Sequence, residues 1–379
     1  MKKNILIISP FFSPNLGGVE SYLDGLTSEL LRLEYRVLVL TYQPLTTKTT
    51  GLGLEKRKNL EIRRIKWFGY NWFNKFENIA LLNFFYLTPG LLFHTLLFMV
   101  KNGRKIDLVH AHGLTAAFVA RIVGIFFPKK KVFSIHAVYH FAKKKLLAKA
   151  AYWLLKDFDE IIALAKYSKI DLMGTGLHSA QIKVIYQWVD QKIFKPKDKI
   201  KNRKKLKLKG GATILFAGRL IKEKGVYLLL AIAGKLPEIN FIIVGDGEEK
   251  NNLEDKTRKS RNIILAGRKN PGELAEYYGA CDLLIQPSLY DEGFSRVVLE
   301  AMSCGRPVVA SQKGCLPEMI PSSCGVLLKP SAGNFYKAIE KLFANKAVLI
   351  KMGDKAVNYA KKNYSRRNIT KLIEVYNNG

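Results

Sequence analysis

The chain has 379 residues, of which 48% are apolar and 25% charged, and its four cysteines are widely spaced. This length favours two domains over one, and the composition is globular, which excludes a disordered or fibrous protein. The cysteines are too few and too far apart for a disulfide scaffold, and without a Cys-x-x-Cys pair they do not indicate a zinc site. This pattern predicts that the protein resides in a reducing cytoplasm. The first apolar run ends at Pro10, too early for a signal peptide, and indicates a buried strand.

Positive charge is in large excess. Sixty-two Lys and Arg residues face 31 Asp and Glu residues, a net charge of +31 spread over both halves of the chain. Such a surface favours polyanionic partners, namely nucleic acid, anionic lipid or phosphorylated substrates, and does not choose among them.

Short apolar runs alternate with helix-patterned segments along almost the whole chain, which is typical of parallel sheets covered on both faces. The first series of predicted strands is Asn4–Ser9, Tyr35–Tyr42, Leu60–Ile65, Leu108–Ala111, Lys131–His136, Glu160–Leu164 and Lys183–Tyr186. The second series is Ala212–Ala217, Asn240–Val244, Asn262–Ala266, Leu283–Gln286 and Pro307–Ala310. We therefore predict two doubly wound α/β domains, with ligands at the carboxyl ends of the strands.

A basic run separates the two series. Residues 195–209 contain nine Lys or Arg side chains in fifteen positions, starting at Lys195-Pro196. We interpret this run as an exposed linker, with the domain boundary near residues 190–210.

The most apolar stretch runs from Ile79 to Val100 and is long enough to span a bilayer. A membrane span here would separate the first strands from their partner strand at Leu108. We therefore do not interpret this stretch as a transmembrane helix. Pro89-Gly90 predicts a break into two short helices.

Aromatic and basic residues flank this stretch and fit a helix pair lying in a membrane interface. The alternative is that the helices only cover the first sheet. The flanking residues are Trp67, Phe68, Trp72, Phe73, Lys75, Lys101, Arg104 and Lys105, and Lys143–Lys145 with Lys149 would extend this surface.

The first of three chemically informative segments is Gly218–Gly225, which joins a predicted strand to a helix beginning at Val226. Arg219 and Lys224 lie five residues apart within it. Cations beside helix N-terminal amides, with glycines that permit close approach, predict a diphosphate site.

The second segment follows the strand Leu283–Gln286. Glu292 lies in a loop containing Gly293, and Glu300 lies in the helix predicted to start near Ser295. Over this spacing a helix rises about 12 Å, whereas the two carboxylates of a glycosidase lie roughly 5 to 9.5 Å apart. The spacing therefore predicts two separate contacts along one ligand.

The third segment is Gly17-Gly18, between the first strand and the predicted helix Val19–Leu33. A strand–glycine–helix turn suits a phosphate or another close ligand.

Together these segments resemble the retaining, nucleotide-sugar-dependent glycosyltransferases of GT-B fold, specifically family four (group 1). The matching motifs are Gly17-Gly18, Val109–His112, Ile135-His136, Gly218-Arg219, Lys224-Gly225, Val244–Gly247, Pro287-Ser288, Glu292–Phe294, Glu300–Met302, Gly305–Val309 and the tail from Asn363 to Tyr376. The resemblance implies two Rossmann-like domains facing across a cleft: an acceptor-binding domain at 1–190, a nucleotide-sugar-binding domain at 191–360, and a C-terminal helix at 361–379 returning to the first domain.

The resemblance also implies roles. Arg219 and Lys224 would neutralise the diphosphate in place of a metal. Glu292 would meet the hydroxyls of the donor sugar and Glu300 the ribose. Remaining contacts with the donor would come from Gly17, Gly18, His136, Gly218, Gly267, Gly293, Phe294 and Ser295.

The departures from the family pattern do not affect Arg219, Lys224, Glu292 or Glu300. Trp188 stands where Gly is customary, Ala137 and Tyr227 where Asp is common, and Ala165 where Ser is frequent.

Other functions are weighed on the same residues. His110 and His112 lack a third metal ligand, and Asp157-Phe158-Asp159 precedes a strand, so neither predicts a metal site. Gly245-Asp246-Gly247 lacks the third glycine of a dinucleotide fingerprint. A basic nucleic-acid-binding protein would need a binding module that the chain does not show. A GT-B epimerase or phosphorylase stays open.

We expect a metal-independent hexosyltransferase without a cofactor. Its partners would be a nucleoside diphosphate sugar (UDP- or GDP-sugar), a glycan or lipid-linked acceptor of cell-envelope, glycolipid or polysaccharide biosynthesis, and anionic membrane at the cytoplasmic face, with no nucleic acid.

Overall fold

A computed structural model describes residues 2–15, 17–76, 79–208 and 210–378. The chain divides into two compact units: an N-terminal unit of residues 1–185 with 369–379, and a C-terminal unit of residues 186–368. Each has a largely parallel sheet with helices, which confirms the predicted fold class.

The sheet of the N-terminal unit has the strand order β3-β4-β2-β1-β5-β6-β7-β8, in which β3 alone pairs antiparallel. Its described strands are β1 (Asn4–Ile8), β2 (Arg36–Tyr42), β3 (Leu54–Arg57), β4 (Leu60–Ile65), β5 (Leu108–His112), β6 (Lys130–Ile135), β7 (Glu160–Ala163) and β8 (Ile182–Val184). Its helices are α1 (Gly18–Arg32), α2 (Trp72–Lys75), α3 (Ala80–Asn102), α4 (Leu114–Phe126), α5 (Lys145–Leu155) and α6 (Lys166–Met173).

The C-terminal unit has the strand order β11-β10-β9-β12-β13-β14, with parallel pairing throughout the described strands. These are β9 (Thr213–Ala217), β10 (Asn240–Val244), β11 (Ile263–Gly267), β12 (Leu283–Gln286), β13 (Val308–Ser311) and β14 (Gly325–Leu328). The helices are α7 (Lys199–Lys205), α8 (Val226–Gly234), α9 (Lys250–Thr257), α10 (Pro271–Ala280), α11 (Arg296–Ser303), α12 (Leu316–Met319), α13 (Ala332–Ala344) and α14 (Lys346–Asn363), and α15 (Arg367–Asn377) follows.

The strand order reverses once in each unit, at β1/β5 and at β9/β12. In doubly wound sheets the loops that leave the carboxyl ends of the strands diverge at this point and leave a crevice for ligand. The segments 218–225 and 287–295 are the loops that leave β9 and β12.

The basic run is not a linker. Residues 199–205 form α7, which packs on α10 within the C-terminal unit. The side chain of Asp198 caps its first turn, and Lys205 forms an ion pair with Glu276 at 2.6 Å. Lys209 lies outside the described residues. The sequence did not predict this helix because the run has little hydrophobic periodicity. Charge pairing, more than apolar burial, holds the helix against the C-terminal unit.

The predicted break at Pro89-Gly90 is also wrong, because α3 runs through it as one helix. The hydroxyl of Tyr42 accepts a hydrogen bond from the Leu91 amide at 2.7 Å and donates one to the Leu87 carbonyl at 2.6 Å. A side chain inserted into the helical ladder satisfies the backbone groups near a proline, so the helix continues.

One face of α3 packs into the core of the N-terminal unit through Leu87, Leu91, Phe98 and Met99, as the sheet-covering alternative predicts. Its opposite face is exposed. By length and composition alone, the segment Leu81–Lys105 could cross a membrane, a test that core helices of soluble proteins also pass.

The end of the chain returns to the first sheet. Tyr376 of α15 is buried, its hydroxyl lies 2.7 Å from His110 Nδ1, and its carbonyl accepts a hydrogen bond from Lys3 at 2.7 Å. The predicted return of the C-terminal helix is thus present in the fold.

Candidate functional site

The loops that leave β9 and β12 touch each other directly. Gly225 ends the first loop with φ +75°, and a Cβ there would lie 1.9 Å from the carbonyl oxygen of Pro287. Only glycine permits this approach and this backbone conformation. Leu289 N–H also donates to the Glu223 carbonyl at 2.8 Å. The two loops therefore form one structure at the carboxyl end of the sheet.

An ion pair between Lys224 and Glu292 lies at this junction. Lys224 Nζ is 2.8 Å from Oε1 and 2.9 Å from Oε2 of Glu292, and the glutamate side chain is only 3% exposed. The structure thus brings together two residues to which the resemblance gave separate roles.

Three further donors complete the surroundings of the Glu292 carboxylate. Gln286 and Ser288 donate to Oε1 at 3.0 and 2.6 Å, and Tyr290 donates to Oε2 at 2.9 Å. Burial acts to raise the pKa of Glu292, but the Lys224 charge and these hydrogen bonds outweigh it and hold the pKa below its usual value. Burial acts to lower the pKa of Lys224, and Glu292 reverses the shift, so the pKa is raised. Both groups are therefore charged near neutral pH.

The N-terminus of α11 lies beside this pair and carries unsatisfied polar atoms. Ser295 is the residue before the helix, as predicted, but its side chain makes no capping hydrogen bond. Within the part of the chain that the structure describes, Ser295 Oγ and Arg296 Nε are buried without a hydrogen-bond partner. Buried polar groups are nearly always paired, so these atoms make the N-terminus of α11 a candidate site for an anionic ligand.

Phe294 packs in an aromatic group beside the same helix. Its ring centroid lies 6.5 Å from that of Tyr186 and 6.2 Å from that of Tyr364. Gly293 precedes it in the loop. Trp188, a departure from the family pattern two residues after Tyr186, is buried.

Gly218 and Arg219 begin the first loop directly after β9. Gly218 N–H donates to the Val244 carbonyl at 3.0 Å, which fixes the loop to the adjacent strand, and Arg219 is exposed. Arg219 and Lys224 are therefore the cations at the two ends of this loop.

Glu300 lies within α11, and its partners differ from those of Glu292. Tyr278 donates to its Oε2 at 3.1 Å, and an Arg296 guanidinium nitrogen lies 3.9 Å from Oε1. Burial raises the pKa of Glu300, and Arg296 and Tyr278 oppose the shift. Glu292 and Glu300 therefore have different protein partners. That they contact one ligand at two separate places stays a prediction.

Gly267 is the last residue of β11, with φ +66° and open space where a Cβ would stand. Its contact with the donor stays a prediction.

In the N-terminal unit, His136 follows β6, and its Nε2 lies 3.0 Å from Nδ1 of His112 at the end of β5. Gly17 and Gly18 begin α1. A Cβ at Gly17 would lie 2.5 Å from a Glu20 carboxylate oxygen. The approach of a donor to these residues stays a prediction.

Four partners of the two glutamates were not predicted from the sequence. Gln286, Ser288 and Tyr290 lie within six residues of Glu292, and their polar side chains at the end of a buried strand were a usable signal. Tyr278 comes from α10, and nothing in the sequence connects it to Glu300.

No group of three or more His, Cys, Asp or Glu side chains is arranged to hold a metal ion within residues 2–15, 17–76, 79–208 and 210–378. Asp157 instead pairs with Arg121 at 2.6 Å, and Asp159 accepts from the Lys131 amide at 2.7 Å.

Two family models match the chain. The model "Glycosyltransferase Family 4" matches residues 16–192, and "Glycosyl transferases group 1" matches residues 198–363. Among relatives, one component of the phosphatidylinositol N-acetylglucosaminyltransferase of Arabidopsis thaliana is 27% identical over 391 residues, covering 99% of this chain and 81% of that protein.

Solved structures share the fold. Sucrose-phosphate synthase from Thermosynechococcus elongatus superposes with a TM-score of 0.84 at 19% identity, covering 99% of this chain and 98% of that one. Anabaena HepE in complex with UDP-glucose superposes with a TM-score of 0.79 at 21% identity, covering 98% of each chain. With a parallel-sheet unit under each family model, the chain belongs to the glycosyltransferases of group 1 and family 4 type, with the GT-B fold.

Proposed function

We propose that this glycosyltransferase transfers a sugar from a UDP- or GDP-sugar, with retention of configuration and without a metal ion, to a lipid-linked or glycan acceptor. The observation that carries the proposal is the Lys224–Glu292 pair beside the unsatisfied N-terminus of α11. Cation, amides and unpaired hydroxyl together suit a diphosphate.

Lys224 can serve both Glu292 and a phosphate. An ammonium group has three N–H donors, and the two oxygens of Glu292 account for two. Glu292 therefore holds the cation in one orientation, and the diphosphate would compete with the Tyr290 hydroxyl for the third donor. Pre-aimed charges of this kind stabilise a leaving group as its negative charge develops.

Arg219 would neutralise the diphosphate from the other end of the loop. Glu300 would accept hydrogen bonds from the ribose, with Tyr278 fixing its carboxylate, and Gly267 would leave room for the base. His136 would lie beside the reacting sugar. Water would compete with the acceptor for the donor sugar. Transfer is therefore favoured over hydrolysis of the donor when the acceptor is bound and water is excluded from the site.

The acceptor would be presented by an anionic membrane at its cytoplasmic face. Exposed apolar side chains recur every four residues along α3, and a stripe of this kind marks an interaction surface. We call it the α3 stripe: Leu81, Phe85, Pro89, Phe93 and Leu97.

A cavity of about 380 Å³ lies beside the α3 stripe and adds positive charge to it. Its lining combines the basic side chains of Arg63, Lys66 and Lys101 with the apolar side chains of Leu97 and Phe98. Apolar and cationic groups side by side suit the boundary between acyl chains and anionic headgroups. The name of the Arabidopsis relative supports N-acetylglucosamine as donor sugar and a phosphatidylinositol lipid as acceptor.

Transfer kinetics test the diphosphate assignment. With UDP-N-acetylglucosamine, phosphatidylinositol vesicles and EDTA, we expect Arg219→Ala and Lys224→Ala each to lose about 100-fold in kcat, as for loss of a transition-state donor. Lys222→Ala is the matched control, since its exposed side chain faces Glu249 at 3.7 Å and should leave the rate within about threefold.

Near-normal rates in both variants would contradict the assignment of Arg219 and Lys224 to the diphosphate.

NMR of the glycosidic linkage formed tests whether the anomeric configuration is retained. Nucleotide-sugar isomerisation without acceptor would identify an epimerase, and a need for inorganic phosphate would identify a phosphorylase.

Vesicle flotation tests the membrane surface. The wild-type chain should float with phosphatidylglycerol vesicles at physiological salt, whereas the triple variant Phe85→Glu, Phe93→Glu, Leu97→Glu should stay in the dense fraction because charge is excluded from the acyl region. Ile350→Glu is the control, an exposed apolar residue on α14 of the other unit. If the wild-type protein does not float, the membrane proposal fails.

A further inference from the structure

A second histidine lies directly behind His136. His112 ends β5 and is 2% exposed, and its Nδ1 is 3.0 Å from Nε2 of His136. The ring of Tyr22 lies near both imidazoles, with centroids 6.0 Å from His112 and 5.2 Å from His136. His136 is thus held through a specific ring nitrogen.

Both imidazoles are neutral near neutral pH. Burial lowers the pKa of His136 to about 4, and burial together with the neighbouring histidines lowers the pKa of His112 well below its usual value. A neutral imidazole carries one N–H and one acceptor nitrogen. One ring therefore donates in this hydrogen bond and the other accepts.

The other nitrogen of His112 decides which ring donates. His112 Nε2 is buried and has no hydrogen-bond partner among the residues that the structure describes. If His136 donated, the proton of His112 would have to lie on Nε2, which would leave a buried N–H without an acceptor. Orphaned buried N–H groups are rare. The proton of His112 therefore lies on Nδ1, and His112 donates.

We propose that His112 is a positioning residue that holds His136 as its Nδ1–H tautomer, so that His136 acts as a hydrogen-bond donor to the sugar and not as a base. This inference rests on the proposed placement of His136 beside the reacting sugar. Nε2 of His136 is occupied by His112, which leaves Nδ1–H for a ligand. A hydrogen bond to one imidazole nitrogen commonly fixes the tautomer that the other presents.

His110 provides a control within the same cluster. Its ring packs on His112 with centroids 4.0 Å apart, but its nitrogens bond elsewhere, to the Tyr376 hydroxyl at 2.7 Å and to Ser134 Oγ at 2.8 Å. Tyr376→Phe therefore removes a buried hydrogen bond from the cluster without touching the bond between His112 and His136.

Nitrogen NMR of the full chain tests the tautomer without any assay of transfer. The chain has six histidines, so long-range ¹H–¹⁵N spectra of histidine-labelled protein can be assigned with single variants, His136→Gln first. We expect Nδ1 of His136 to be protonated and Nε2 to be unprotonated, and His112→Phe to produce a mixture of tautomers. A protonated Nε2 on His136 in the wild-type protein would overturn the proposal.

Kinetics then separate positioning from simple packing. His112→Phe should lower kcat about tenfold with little change in the donor KM, as for loss of other supporting hydrogen bonds. His112→Asn, whose amide can replace the Nδ1 donor, should recover most of that loss, and Tyr376→Phe should show none of it. Equal losses in His112→Asn and His112→Phe would overturn the proposal. If His136→Gln transfers normally, the sugar contact is wrong, whatever the spectra show.

Discussion

At the scale of single residues, a cluster of three histidines connects the stability of the N-terminal unit to pH. Burial lowers the pKa of His110 to about 3 and that of His136 to about 4, and it lowers the pKa of His112 as well. In the unfolded chain these groups take up protons near pH 6.5. The unfolded state therefore binds more protons than the native state between pH 6.5 and about 4, and stability is lost as pH falls through this window.

We expect the free energy of unfolding to fall between pH 7 and pH 5 by up to about 1.4 kcal/mol per pH unit for each histidine. Urea unfolding followed by circular dichroism measures it. His112→Asn should reduce the slope by about one proton, because an asparagine side chain does not titrate. The same free energy at pH 7 and pH 5 would contradict the account.

How much of the site the sequence predicts also depends on single residues. Arg219, Lys224, Glu292 and Glu300 could be proposed from the sequence because they lie in strand–loop–helix segments with glycines. The pairing of Lys224 with Glu292 was not, because 68 positions separate them and only the packing of two loops brings them together. Sequence patterns give residue types and spacing along one segment, whereas partners across segments depend on the fold.

At the scale of elements, α3 depends on a hydroxyl from another element. Tyr42 on β2 bridges the Leu91 amide and the Leu87 carbonyl close to Pro89. Removing the hydroxyl leaves two buried backbone groups without partners, so Tyr42→Phe should destabilise the protein by about 1–3 kcal/mol. Urea unfolding checks this value, with the exposed Tyr152→Phe on α5 as the matched control. Equal stability of the two variants would show that the bridge contributes nothing.

The elements that the sequence mispredicted fall into two groups with different physical causes. Each predicted strand is present, because continuous apolar runs are specific for strands buried on both faces. β3 and β14 were missed: β3 is a charged, largely exposed edge strand, and β14 is a partly buried edge strand of only four residues. α3 and α7 were misjudged because contacts from outside each helix, Tyr42 in one and ion pairs in the other, override its local sequence.

At the scale of the whole molecule, composition limits the classes of binding partner without identifying any one of them. The net charge of +31 favours anions, and the structure locates positive charge both in the loop 218–225 and beside the α3 stripe. The alternation of strands and helices predicted the fold class, and the family motifs predicted the reaction class. The donor base, the sugar and the acceptor depend on pocket shape, which such patterns do not encode.

The most direct test of the central claim, a metal-free diphosphate site in the C-terminal unit, is calorimetric titration with UDP, GDP and ADP in EDTA. We predict that one of the three nucleotides binds, that Arg219→Ala weakens its affinity at least about tenfold, or 1.4 kcal/mol, and that Lys222→Ala does not. Binding that requires added Mg²⁺, equal weakening in both variants, or no binding by folded protein would contradict the claim.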